Sequence, residues 1–76
     1  MEEMLKVLVK ELVDDPSQIF INSKKEGNVT TLELKVASDD MGKVIGKQGK
    51  IAKSIRTLMK AYGAKVGEKI NVDIID

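Results

Sequence analysis

Apolar positions change period along the chain. Between residues 2 and 14, Met4, Leu5, Leu8, Leu12 and Val13 follow the spacing of one helical face, and Val7 and Val9 widen it. The spacing predicts a helix that Asp15-Pro16 stops, because a residue before proline is pushed out of the helical region. From residue 19 the period falls to two. Ile19-Phe20-Ile21 opens a strand expected over 19–25. A second strand is expected over 29–37, where Leu32, Leu34 and Val36 alternate with Thr31, Glu33 and Lys35. Glu26-Gly27-Asn28 lies between them, with two residues that tolerate positive φ, so the pair reads as an antiparallel hairpin. Ser38-Asp39-Asp40 offers N-caps to a short helix over 40–45. After a glycine-bearing loop, Ile51, Ile55, Leu58, Met59 and Tyr62 fall on one side of a helix expected over 50–62, with Gly63 as its C-cap. Lys50, Lys53, Arg56 and Lys60 fall on the other side. Beyond Gly67-Glu68, Ile70, Val72 and Ile74 alternate with Asn71, Asp73 and Ile75 as a last strand.

The predicted order is α-β-β-α-α-β. Two helices separate the second strand from the third, so the chain can cross over and make those strands parallel. The expected fold class is α+β: a three-stranded mixed sheet with three helices packed on one face. No repeat, linker or low-complexity stretch divides the chain, so residues 1–76 read as a single domain.

Composition narrows the chemistry. The chain has no Cys and no His, which removes disulfides, thiol catalysis and the commonest general base and metal ligand. No catalytic residues, cofactor or metal site are expected, and the chain reads as a binding domain, not an enzyme. No apolar run approaches the ~18 residues of a membrane span. The start, Met1-Glu2-Glu3-Met4, is acidic where a signal peptide would be basic. These features predict an intracellular protein with no membrane partner.

Charge is unevenly placed. Residues 41 to 67 carry Lys43, Lys47, Lys50, Lys53, Arg56, Lys60 and Lys65 and no acid, while the whole chain has a net charge of only +1. A solvated lysine-rich helix face is the usual source of such a run. Its complete lack of acids favours a face that meets a polyanion.

That face begins at Val44-Ile45-Gly46-Lys47-Gln48-Gly49-Lys50-Ile51. Glycines permit a tight reversal between two helices and close approach of a ligand backbone. The loop leads into a helix N-terminus, where free N–H groups favour an anion. Lys47 and Lys50 add charge there, and Gln48 adds amide donors and an acceptor. Two phosphate motifs fail. A Walker A loop ending at Gly49-Lys50 needs glycine where Val44 stands and Ser or Thr where Ile51 stands, and a dinucleotide fingerprint ending at Gly49 also fails at Val44.

Ile45-Gly46-Lys47-Gln48-Gly49, followed by Ile51 and Ile55, resembles the signature of the KH domain, whose glycine loop clamps about four nucleotides of single-stranded nucleic acid. The order of elements is similar to the type II, prokaryotic arrangement. Asp40 to Lys50, Ile55-Arg56-Thr57-Leu58 and the N-terminal helix resemble the small stand-alone bacterial KH proteins of the KhpA, or YlqC-like, family. The resemblance covers essentially the whole chain. It implies a cytoplasmic RNA-binding protein that acts as an RNA chaperone or post-transcriptional regulator. It further implies a homodimer, or a pairing with a second KH protein of the Jag/KhpB type, with influence on cell elongation and division in some bacteria. The alternative is an assembly subunit for such a partner with little RNA binding of its own. Single-stranded RNA is the expected ligand on the strength of the resemblance; the residues alone admit single-stranded DNA.

Carried onto this sequence, Gly46, Lys47, Gln48 and Gly49 form the backbone clamp, and Ile45 and Ile51 line or support the groove floor. Lys47 and Lys50 are expected phosphate contacts. Lys43, Lys53 and Arg56 are further candidates, each with a solvated role as the alternative, and Arg56 has a pairing with Asp39 or Asp40 as another. Gly42 reads as a close-packing glycine, with ligand contact as the alternative. Asp39 and Asp40 read as caps, with cation binding as the remote alternative. Phe20, Leu58 and Tyr62 read as core, which leaves the groove without the aromatic platforms many single-strand binders use.

Overall fold

The structure, a computed structural model, describes residues 2–75. Helix α1 (Glu2–Lys10) leads to strands β1 (Phe20–Glu26) and β2 (Val29–Lys35), then helices α2 (Met41–Ile45) and α3 (Lys50–Val66), and finally strand β3 (Lys69–Ile74). The sheet order is β1-β2-β3. β1 runs antiparallel to β2, from Phe20↔Lys35 to Glu26↔Val29, and β3 runs parallel to β2, from Val29↔Lys69 to Leu34↔Ile74. This is the expected α+β mixed sheet. Among the described residues, no helix is long and apolar enough to cross a membrane.

The core lies between one sheet face and the helices. Leu5 and Val9 of α1, Leu32 and Leu34 of β2, Val44 of α2, Ile55 and Met59 of α3, and Ile70 and Val72 of β3 are all buried. Period two forces a choice within Ile19-Phe20-Ile21. Ile19 and Ile21 turn inward, so Phe20 points to the open sheet face and is 59% exposed, not core. Leu58 is likewise 49% exposed on α3, outside the core that its spacing suggested. Tyr62 does pack against the core, partly buried.

The hairpin closes over Gly27 and Asn28, but only Gly27 takes a positive φ (+61°). Two helix ends differ from expectation. α1 stops at Lys10 and closes in a turn where the Leu12 and Val13 N–H groups share the Val9 carbonyl (2.9 and 3.2 Å). Pro16 instead opens a separate 3₁₀ turn (Pro16–Gln18), capped by the Asp15 side chain accepting from the Ser17 N–H. At the other end, Gly63 does not cap α3. The helix runs on to Val66, and Gly67 (φ +77°) ends it, with Glu68 N–H donating to the Gly63 carbonyl at 2.8 Å and Gly67 N–H to the Ala64 carbonyl at 3.4 Å.

Gly63 has a packing role instead. A Cβ at this position would lie 2.5 Å from the Glu68 carbonyl oxygen and 2.9 Å from Ile70 Cγ1. Its bareness lets α3 lie close against the start of β3. Glu68 also accepts from Lys25 Nζ (2.9 Å) and the buried Thr30 hydroxyl (3.4 Å), tying the α3–β3 connection to the hairpin. Glycine to alanine inside an exposed helix normally stabilises by ~0.5–1 kcal/mol. Here the sign reverses: Gly63→Ala should lower unfolding free energy by about 1–3 kcal/mol in chemical denaturation, the cost of overpacking against fixed backbone.

Candidate nucleic-acid interface

Three of four consecutive residues between α2 and α3 have positive φ. Gly46 (φ +75°, ψ 176°) ends α2, Gln48 (φ +57°, ψ 26°) is left-handed, and Gly49 (φ +73°, ψ 14°) precedes α3. Lys47 to Gly49 form a 3₁₀ turn in which Gly49 N–H reaches the Gly46 carbonyl at 3.3 Å. The N–H groups of Lys47 and Gln48 open this turn and so have no partner within it. Lys47, Gln48 and Lys50 are exposed, with Gly46 and Gly49 half-buried beside them.

The two glycines are required for different reasons. A Cβ on Gly46 would lie 2.6–2.9 Å from the Ile51 side chain, so Gly46 is held by packing as well as by conformation. A Cβ on Gly49 would meet nothing within 4 Å, so its surface is open to a ligand. Gln48, which has a Cβ, sits in the left-handed region at a cost of order 1 kcal/mol. Ile45 is 38% exposed next to the turn, and Ile51 packs beneath it against the core.

The remaining candidate residues are dispersed around this turn. Lys50 and Lys53 line a shallow depression on the outer face of α3 with Ser54, Thr57 and Leu58. Arg56 lies on another flank. Its Nε donates to the Val72 carbonyl at 3.1 Å, so it pairs with neither Asp39 nor Asp40. Lys69 and Ile75 donate backbone N–H groups to Asn28 and Leu34 on the β2 side. In a parallel strand alternate residues point opposite ways, so the backbone groups of Ile70, Val72 and Ile74 face the free edge of β3. Arg56 therefore covers one carbonyl of that edge. Sequence reasoning missed this edge, because strand order is a property of pairing and not of periodicity.

Lys43 turns away from the turn. Its ammonium pairs with Asp14 and lies 3.5 Å from Asp40 Oδ1. Asp40 does not cap α2. Its side chain is 3% exposed, and its carboxylate accepts from the backbone N–H groups of Asp14 and Asp15, each at 3.1 Å. Those hydrogen bonds, that of Asp14 foremost, hold the Asp40 carboxyl below its ordinary 3.8, against the opposing effect of burial. Its bond to Asp14 holds the Lys43 ammonium above its ordinary 10.5. Gly42 meets nothing within 4 Å of its Cβ position, so close packing does not explain it. Among the described residues, no group of three acids is placed to hold a metal ion.

An α-β-β-α-α-β domain with a mixed three-stranded sheet and a glycine-x-x-glycine turn between its last two helices is a KH domain of the type II arrangement. The family model described as KhpA/KhpB, KH domain matches residues 2–74, and the chain belongs to that family. It is 48% identical to the RNA-binding protein KhpA of Clostridium perfringens, over 99% of this chain and 100% of that one. It is 47% identical to the RNA-binding protein KhpA of Listeria monocytogenes, over 100% of both chains. Among solved structures it superposes on the crystal structure of APE1850 with a TM-score of 0.68 at 29% identity, covering 97% of this chain and 48% of that one.

Two outcomes follow from this geometry. Gly46→Ala should cost about 2–3 kcal/mol of unfolding free energy, from strain plus the clash with Ile51, whereas Gly49→Ala should cost only about 1 kcal/mol, both read by urea titration. In pH titrations of stability, the Asp40 contribution is complete above 3.8 and is lost as pH falls below that value through the depressed pKa of the folded state. Glu68, held below its ordinary 4.5 chiefly by its bond to Lys25, acts with the same sign. The Lys43 contribution is complete below 10.5 and is lost as pH rises above it.

Proposed function

We propose that this chain binds single-stranded RNA by its sugar-phosphate backbone at the Gly46–Gly49 turn and acts as an RNA chaperone or post-transcriptional regulator in the cytoplasm. The observation that carries the reading is the turn itself: two exposed polar side chains on a backbone kept open by Gly49, next to the start of an acid-free helix. The relatives' RNA-binding names support it. Lys47 and Lys50 meet phosphates, Gln48 hydrogen-bonds a phosphate or sugar, and bases turn toward Ile45. Lys53 and Arg56 extend the basic surface along α3. Lys43 contributes less, since Asp14 and Asp40 already neutralise it.

A groove of about four nucleotides without an aromatic platform holds each RNA weakly. Two linked modules, as a homodimer or with a Jag/KhpB-type KH protein, raise effective concentration and recover affinity. A second reading, in which the chain is chiefly an assembly subunit, draws on Leu58, a large apolar side chain half-exposed on α3.

The test is the double substitution Lys47→Asp with Gln48→Asp. Both glycines remain, and aspartate tolerates the left-handed conformation of Gln48. The circular dichroism spectrum should be unchanged, and binding of a short single-stranded RNA should be lost in fluorescence anisotropy. Wild-type affinity should fall with salt with a log–log slope of about −1 to −2, the value for two phosphate contacts on a single strand. Absence of wild-type binding at low salt would remove the RNA reading and leave the assembly one, which equilibrium sedimentation then addresses.

A further inference from the structure

Among the described residues, Asp40 is the charged residue that is fully buried, and its partners lie 25 and 26 residues away in sequence. It stands at the start of α2. That helix has five residues, and a helix so short closes few hydrogen bonds of its own, so its direction depends on what grips it from outside. Val44, with no exposed surface, and Met41, partly buried against the core, anchor its apolar side, Lys43 pairs with Asp14, and the Asp40 carboxylate anchors its start to the Asp14 and Asp15 backbone. Gly46 follows the last residue of α2 directly, and its N–H is bonded to the Gly42 carbonyl at 2.8 Å. Any tilt of α2 is therefore passed to the turn.

We propose that Asp40 is a positioning residue for nucleic-acid binding: by holding the Asp14 and Asp15 N–H groups it fixes α2, and through α2 the placement of Gly46–Gly49. The proposal rests on the RNA-binding reading, with Asp40 acting only through the turn and touching no ligand. The ion pair between Lys43 and Asp14 is a lesser part of the tether. The Asp14 side chain is 82% exposed, and exposed pairs hold little. The backbone bonds to Asp40 are charge-assisted and buried, which makes them the strong element.

The sign of the effect separates positioning from simple electrostatics. Removing an acid from the neighbourhood of a basic surface should strengthen binding to a polyanion. Loss of positioning should weaken it. Asp40→Asn keeps the shape of the side chain, but its amide NH₂ faces one of the two backbone donors. Asp14→Asn removes the same charge and leaves the Asp40 carboxylate in place.

The experiment uses the full chain at low temperature, with folding checked by circular dichroism and a short single-stranded RNA as probe. Asp40→Asn should raise Kd about tenfold and shift the Gly46 and Gly49 amide resonances in ¹H–¹⁵N spectra of the free protein. Asp14→Asn should bind as wild type or more tightly. A folded Asp40→Asn variant with wild-type glycine resonances and unchanged or tighter binding would overturn the proposal, even if its melting temperature fell. If Asp40→Asn does not fold, Asp40→Glu, which keeps the charge but displaces it by one methylene, is read the same way. The glycine resonances of the free protein test positioning independently of RNA, so failure of the RNA reading is distinguishable from failure of this one.

Discussion

The parallel pairing of β2 with β3 is the constraint on which the rest of the structure depends. Antiparallel neighbours can be joined by a two-residue turn, as β1 and β2 are; parallel neighbours need a crossover. All of α2, the glycine turn and α3 lie in that crossover. The turn is consequently not a surface loop added to a finished domain. It is the bend by which the chain returns across the helix face to start β3 in register. Gly63 and Gly67 serve the same return, one by letting α3 approach the strand and the other by ending the helix in time.

The glycine turn is supported from two sides of different chemistry. Ile51 fills the space that a Cβ on Gly46 would need, so apolar packing holds the turn from below. The Asp40 carboxylate holds the start of α2 through backbone hydrogen bonds, which are directional. A strained Gln48 persists between the two glycines because the elements on both sides over-determine its conformation.

The fold also sorts the charges that the sequence presents as one basic run. Lys47, Lys50 and Lys53 remain exposed on the turn and the outer face of α3. Lys43 is neutralised by Asp14 and Asp40, and Arg56 is partly engaged at the free edge of β3. The basic surface left free is therefore smaller than the acid-free segment suggests.

Periodicity and glycine placement are local properties, and they made the order of elements, the mixed sheet, most inward-facing positions (Phe20 and Leu58 apart) and the place of the glycine turn legible in the residues. What the residues could not show depends on contacts made only once the chain folds back on itself. Whether Gly63 or Gly67 ends α3 was decided by the chain bending back on itself, with Glu68 and Ile70 filling the space beside Gly63. Whether Asp40 caps α2 or reaches back to Asp14 and Asp15 was decided by where the segment after α1 comes to lie. Phe20 points outward because its strand can bury only one face, and Ile19 and Ile21 took it. Short-range rules assign a residue its conformation; only the assembled sheet and helices decide which neighbour it meets.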